Sequence, residues 1–105
     1  MSQQRDRGNA AERAVAKRLG GQRVGHLGGE DVSHSVFSCE CKERASLPAW
    51  LTDAMAQAVR HAPEGKLAMV VLHLLGARHD SDLVVMRLAD FQQWFGSTDD
   101  GNPRE

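Results

Sequence analysis

An α/β fold, with helices flanking a mixed β-sheet in the order α-β-β-β-α-β-β-α, is what this sequence predicts. Three observations lead there. Apolar residues recur at helical spacing in two separated segments. Runs rich in β-branched and apolar residues, punctuated by Gly, Ser, Asp and His, lie between and after them. At 105 residues the chain has the length of one domain, able to bury a core but leaving little for a second module. The expected organisation is a single domain over 1–96, followed by a disordered tail over 97–105.

The first helix is expected over Asn9 to Leu19, where Ala11, Ala14, Val15 and Leu19 share a face and Gly20-Gly21 supplies the C-terminal stop. Gln22 to Leu27, Asp31 to Ser33 and Val36 to Lys42 read as a small antiparallel meander, turning at Gly28-Gly29 and near His34-Ser35. Ser46 is placed to cap a second helix, with Pro48 in its first turn. Its apolar stripe is Leu51, Ala54, Met55, Ala58 and Ala62, and it stops near Pro63. Leu67 to Leu75 reads as a buried central strand, Gly76 to Asp82 as a polar connection and Leu83 to Leu88 as a fifth strand. Asp90 then opens a short aromatic helix over Phe91 to Phe95.

Composition narrows the function classes. The net charge is −1, but residues 1–44 stand at +2 and the remainder at −3. Such asymmetry suits phosphate binding by one face, and Arg5, Arg7, Arg13 and Arg44 are the candidate phosphate contacts. Cys39 and Cys41, one residue apart on a strand, cannot form an ordinary disulfide, and no charged leader followed by an apolar run opens the chain. A soluble, cytoplasmic protein is expected. The longest apolar run is far too short to span a bilayer.

The chemistry concentrates in Glu40-Cys41-Lys42 together with Asp31 and Glu12. Side chains alternate along a strand, so Ser38, Glu40, Lys42 and Arg44 face one way while Phe37, Cys39, Cys41 and Glu43 face the other. Asp31 on the neighbouring strand would bring its carboxylate towards Glu40. Two such oxygens suit Mg²⁺, with Mn²⁺ as a substitute. Glu12 shares a helix face with Val15, Ala16 and Leu19, where a carboxylate needs a cation, a donor or water, and strand neighbours could supply that cation. The expected division of labour has Asp31 and Glu40 holding the metal and Glu12 reaching it through water or holding a second ion. Lys42 would orient the attacking water and offset charge in the transition state.

These residues carry a family resemblance. Arg7-Gly8-Asn9-Ala10-Ala11-Glu12-Arg13, then Asp31, then Glu40-Cys41-Lys42 resembles the PD-(D/E)XK nuclease superfamily, nearest to archaeal-type Holliday junction resolvases and their phage-encoded relatives. The likeness in element order covers roughly residues 5–95, with the specific motifs inside 7–44. It implies a restriction-endonuclease-like core and a Mg²⁺-dependent, structure-specific endodeoxyribonuclease. Glu12, Asp31, Glu40 and Lys42 would take the family's catalytic places, Glu12, Asp31 and Glu40 its metal-binding places, and Gln57 that of an additional active-site glutamine. It implies branched DNA as substrate, a homodimer whose two sites cut opposed strands of a four-way junction, and roles in recombination and repair. The alternatives are a flap, nicking or restriction-like nuclease on the same site, and a non-catalytic DNA-binding subunit.

Other residues have plainer readings. Cys39 and Cys41 with His26 and His34 lack zinc-knuckle spacing, and the cysteines read as small buried hydrophobes. His73 reads as a hydrogen-bonded core histidine, and Trp50, Trp94 and Phe95 as core or interface anchors.

Overall fold

A computed structural model describes residues 2–24 and 30–96, with side chains from residue 9 onward. The turn at Gly28-Gly29, His26, the side chains of Arg5 and Arg7, and the expected tail lie outside the described residues. The protein is mixed α/β, and its elements follow the expected order. The sheet does not. The described strands form a three-stranded and a separate two-stranded sheet, with every pairing antiparallel. The chain divides into two compact units, one built on the residues up to Ala45 and the other on Ser46–Phe95.

In the first unit, helix α1 (Ser2–Leu19) is longer than the apolar spacing indicates. Gly20 sits at φ 73°, its N–H donates to the Lys17 carbonyl, and the Gly21 N–H donates to the Ala16 carbonyl at 2.9 Å. That pair of bonds is a Schellman stop, which requires the left-handed backbone that glycine adopts without strain. Ala16 and Leu19, on the last turn, are buried. They pack where α1 meets strands β1 (Gln22–Arg23) and β2 (Val32–Ser33).

Strand β2 is the centre of the meander. Arg23 and Cys39 flank Val32, which has no exposure at all, while Gln22 and Ser38 flank Ser33. Strand β3 (Ser38–Cys39) returns through a tight turn in which the His34 N–H donates to the Phe37 carbonyl and the two rings stack at 4.2 Å. The alternation expected along this strand holds from Phe37 to Lys42, with odd positions half-buried and even ones exposed, and ends at Glu43, which is exposed because the strand has left the sheet.

In the second unit, helix α2 (Ala49–His61) starts differently from the expectation. Pro48, not Ser46, occupies the N-cap, and no side chain caps it. The proline φ of −54° already suits a helix start, and its carbonyl accepts from Leu51 and Thr52. The apolar stripe is as expected, with Leu51, Ala54, Met55, Ala58 and Ala62 all half-buried, and α2 packs against strand β4 (Val70–Leu72).

The buried central strand over Leu67–Leu75 is a correction. Only Val70–Leu72 pair, with β5 (Leu83–Val85), and the chain turns at Leu74–Ala77 with Gly76 at φ 88°. Val71 is half-exposed and Leu75 is 94% exposed. An apolar run reports hydrophobicity and β preference; whether further strands cover it depends on partners elsewhere in the chain. For the aromatics only the core half of the expectation is corrected, because Trp50, Trp94 and Phe95 are exposed. Helix α3 (Leu88–Phe95) begins two residues before Asp90, which lies in its first turn and accepts from the Arg87 guanidinium at 2.9 Å.

Candidate functional site

Asp31 meets the backbone of the third strand's continuation at Cys41. Asp31 immediately precedes β2, where its N–H donates to the Cys39 carbonyl and its own carbonyl accepts from Val24, which continues the ladder on both sides. That double anchorage fixes its side chain, and Asp31 Oδ2 accepts the Cys41 N–H at 2.7 Å. A short bond to an ionised carboxylate is of the stronger charge-assisted kind. Asp31 is thus locked onto the middle residue of Glu40-Cys41-Lys42.

Glu12 comes to the same neighbourhood from α1. Its carboxylate accepts from Arg23 Nε at 2.9 Å, and Arg23 Nη2 donates to Asn9 Oδ1 at 2.5 Å. Asn9 and Glu12, three apart on one helix face, therefore grip one guanidinium from β1. The strand does supply the cation this part-buried carboxylate needs, and the cation is Arg23. No sequence motif singled out Arg23; only the short return through the Schellman turn puts it opposite Glu12.

Glu40 and Lys42 stand apart from this grip. Both are exposed, and Lys42 Nζ lies 4.0 Å from Glu40 Oε1, a separation at which an exposed pair contributes little stability. Among the described residues, the ligand atoms of Glu12, Asp31 and Glu40 do not form a group within 4.8 Å of one another. The physical reason is the alternation itself: Asp31 meets the strand at the Cys41 backbone, whereas the Glu40 side chain leaves the strand towards solvent. Arg13 is exposed on α1, and the exposed Arg44 donates to the Glu43 carbonyl at 2.8 Å. Gln57 is exposed on α2, in the second unit.

The thiol of Cys41 registers the convergence. Burial, then the Cys39 thiol 3.9 Å away, then the charges of Asp31 and Glu12 all disfavour its thiolate and push it from 9.0 up to about 12. The sign is set by the acid form: what is favoured in the fold is the neutral thiol, so the thiolate is scarce at any ordinary pH. At pH 8 Cys41 should alkylate with iodoacetamide roughly a hundredfold or more slower than an unhindered cysteine. Peptide mass mapping over time gives the rate, and labelling as fast as a model thiol would contradict this environment.

Compared with family models, curated proteins and solved structures, the chain matches none. Its site therefore has to be read from its own geometry. No helix among the described residues is long and apolar enough to cross a membrane.

The Arg23 grip has a measurable weight. Arg23→Gln leaves Glu12 part-buried without its cation and should lower stability by about 1–2 kcal/mol, of the size lost with a hydrogen bond to a charged group. Urea unfolding of the variant and of Glu12→Gln/Arg23→Gln checks it, because the double variant should recover part of the loss. Identical losses in the two would show that Glu12 does not depend on Arg23.

Sequence reasoning also passed over a second cluster. His73, at the end of β4, is hydrogen-bonded as expected, to Asp82 at 2.7 Å, but it is not in a core. The signal available was the spacing His-x₅-His-x₂-Asp from His73 through His79 to Asp82, inside what reads as a plain polar connection.

Proposed function

We propose that the chain is a metal-dependent DNA endonuclease with a PD-(D/E)XK-type site on a restriction-endonuclease-like core, acting as a cytoplasmic homodimer on four-way junctions. The observation that carries the reading is the 2.7 Å bond from the Cys41 N–H to Asp31, which ties one acid to the centre of the Glu-Cys-Lys tripeptide.

The donor chemistry fits a hard divalent cation, since Glu12, Asp31 and Glu40 offer carboxylate oxygens only. Asp31 and Glu40 would hold Mg²⁺, with Glu12 behind them. Bound there, the cation supplies positive charge to a phosphate oxygen and acidifies a water. Glu40 is exposed and would rotate towards Asp31, whose chain neighbour Val32 pairs with Cys39, the residue before Glu40. Lys42, also exposed, would leave Glu40, orient the attacking water and balance charge at phosphorus. Arg13 and Arg44, both exposed, would hold the flanking phosphates and position the duplex arms without reading sequence. The exposed apolar side chains Trp50, Trp94 and Phe95 are suited to burial between two copies.

A second reading, a DNA-binding subunit without turnover, is favoured by one observation: Arg23 already neutralises Glu12 at 2.9 Å. Labelled four-way junction, matched duplex and flap DNA, incubated with the protein in Mg²⁺ or Mn²⁺ with EDTA controls, separates the readings. Paired symmetric nicks on the junction, abolished by EDTA, are the expected result. Cleavage of flap or duplex alone would redirect the substrate, and binding without products in either metal would leave the non-catalytic subunit.

A further inference from the structure

We propose that His73, His79 and Asp82 form a three-ligand site for a divalent transition-metal ion of the zinc class, clipping together the connection between β4 and β5. The site belongs to the second unit and is independent of the nuclease reading.

The three residues come from separate places. His73 follows the last residue of β4, His79 opens a 3₁₀ turn (His79–Ser81), and Asp82 directly precedes β5. Antiparallel pairing of Leu72 with Leu83 sets His73 and Asp82 side by side at the end of the ladder. The 3₁₀ turn, closed by the Asp82 N–H on the His79 carbonyl, then folds His79 back over them.

Their ligand atoms lie within 4.8 Å of one another, and they form the one such group among the described residues. His73 Nδ1 is 2.7 Å from Asp82 Oδ1 and His79 Nδ1 is 3.0 Å from Asp82 Oδ2, while the imidazole rings stack at 4.0 Å. An ionised carboxylate only accepts, so each Nδ1 carries a proton aimed at it. Two imidazole nitrogens thus point at one carboxylate from the same side. With each proton shifted from Nδ1 to Nε2, the two Nδ1 lone pairs and the carboxylate can face one cation along the directions they already hold.

The distances are compatible with that arrangement. Tetrahedral zinc with ligand bonds near 2.0–2.1 Å holds its ligand atoms roughly 3.3 Å apart, so the His79 contact opens by about 0.3 Å and the His73 contact by about 0.6 Å. Asp82, 13% exposed, is the fixed ligand; His79, 82% exposed on its turn, can make the adjustment at little packing cost. Two imidazoles and a carboxylate select zinc-class ions over Mg²⁺, and three protein ligands leave a fourth position open.

Zinc titration of the full chain against a chromophoric chelator tests the assignment. It is expected to show one site that a large excess of Mg²⁺ does not empty. His79→Ala should weaken the site by on the order of 100-fold, at the upper end of what disturbing even the groups behind metal ligands costs. The Cys39→Ser/Cys41→Ser variant should bind as the native chain does. Nitrogen-15 spectra of the native protein's imidazoles give a readout without mutation: the His73 and His79 ring signals should shift together as zinc is added. Zinc binding retained by His79→Ala, binding lost in the cysteine variant, or ring signals that do not move would each overturn the site.

Discussion

On the proposed nuclease reading, Asp31→Asn reduces Mg²⁺-dependent cleavage of a four-way junction by roughly a thousandfold or more, a loss of the size seen when a preorganised electrostatic group is removed. The substitution is chosen because it is nearly isosteric. The asparagine oxygen can still accept the Cys41 N–H that Asp31 accepts at 2.7 Å, so the strand junction is kept while the negative charge is lost. Far-UV circular dichroism and the thermal midpoint should change little, and junction binding without metal should persist. A variant that cuts at the native rate would remove Asp31 from the chemistry and the metal-dependent site with it. Loss of cleavage together with loss of fold would be read through Glu40→Gln, whose exposed side chain has Lys42 at 4.0 Å as its ion-pair partner among the described residues.

The largest structural effect is expected at Gly21. A methyl group there would stand 2.6 Å from the Ser33 carbonyl oxygen and 2.9 Å from Val32 Cγ1, closer than folded chains tolerate, and the first neighbour is backbone. The carbonyl cannot move without separating β1 from β2, and Val32, fully buried, has little room to turn away. Gly21→Ala should therefore cost about 3 kcal/mol, at the upper end of overpacking penalties. That corresponds to a fall in melting temperature on the order of 10 °C. Gly65→Ala is the comparison: its φ of +85° is strained for alanine but nothing lies within 4 Å, so about 1 kcal/mol is expected. Equal melting temperatures for the two variants would mean that the close approach at Gly21 does not govern the packing of α1 on the sheet.

Local chemistry was legible in the sequence wherever neighbours in the chain decide the outcome. Gly20-Gly21 announced the end of α1 because a Schellman stop needs a left-handed residue, and glycine supplies it. The alternation from Phe37 to Lys42 gave the two faces of the third strand, since strand period is a property of the backbone. The stripe on α2 came from 3.6-residue spacing in the same way. The short hairpin after Asp31 was legible too, but it set Asp31 on the Cys41 N–H instead of beside the Glu40 carboxylate.

Tertiary structure decided what depends on partners distant in the chain. Hydrophobicity could not say that Val70–Leu72 would find only β5 and leave Leu74 and Leu75 in solvent, or that the strands would divide into two sheets. Charge could not say which cation Glu12 would meet; the turn after α1 brings Arg23 to it before any metal is invoked. Spacing offered His73, His79 and Asp82 only as a pattern; the 3₁₀ turn is what aims the two histidines at one aspartate. Sequence by itself determined the α/β class, the element order and the polarity of each face, because these are set by period, turn chemistry and side-chain type. Which side chains finally meet was decided by pairing register and helix exit geometry, both set by contacts between residues that are remote along the chain.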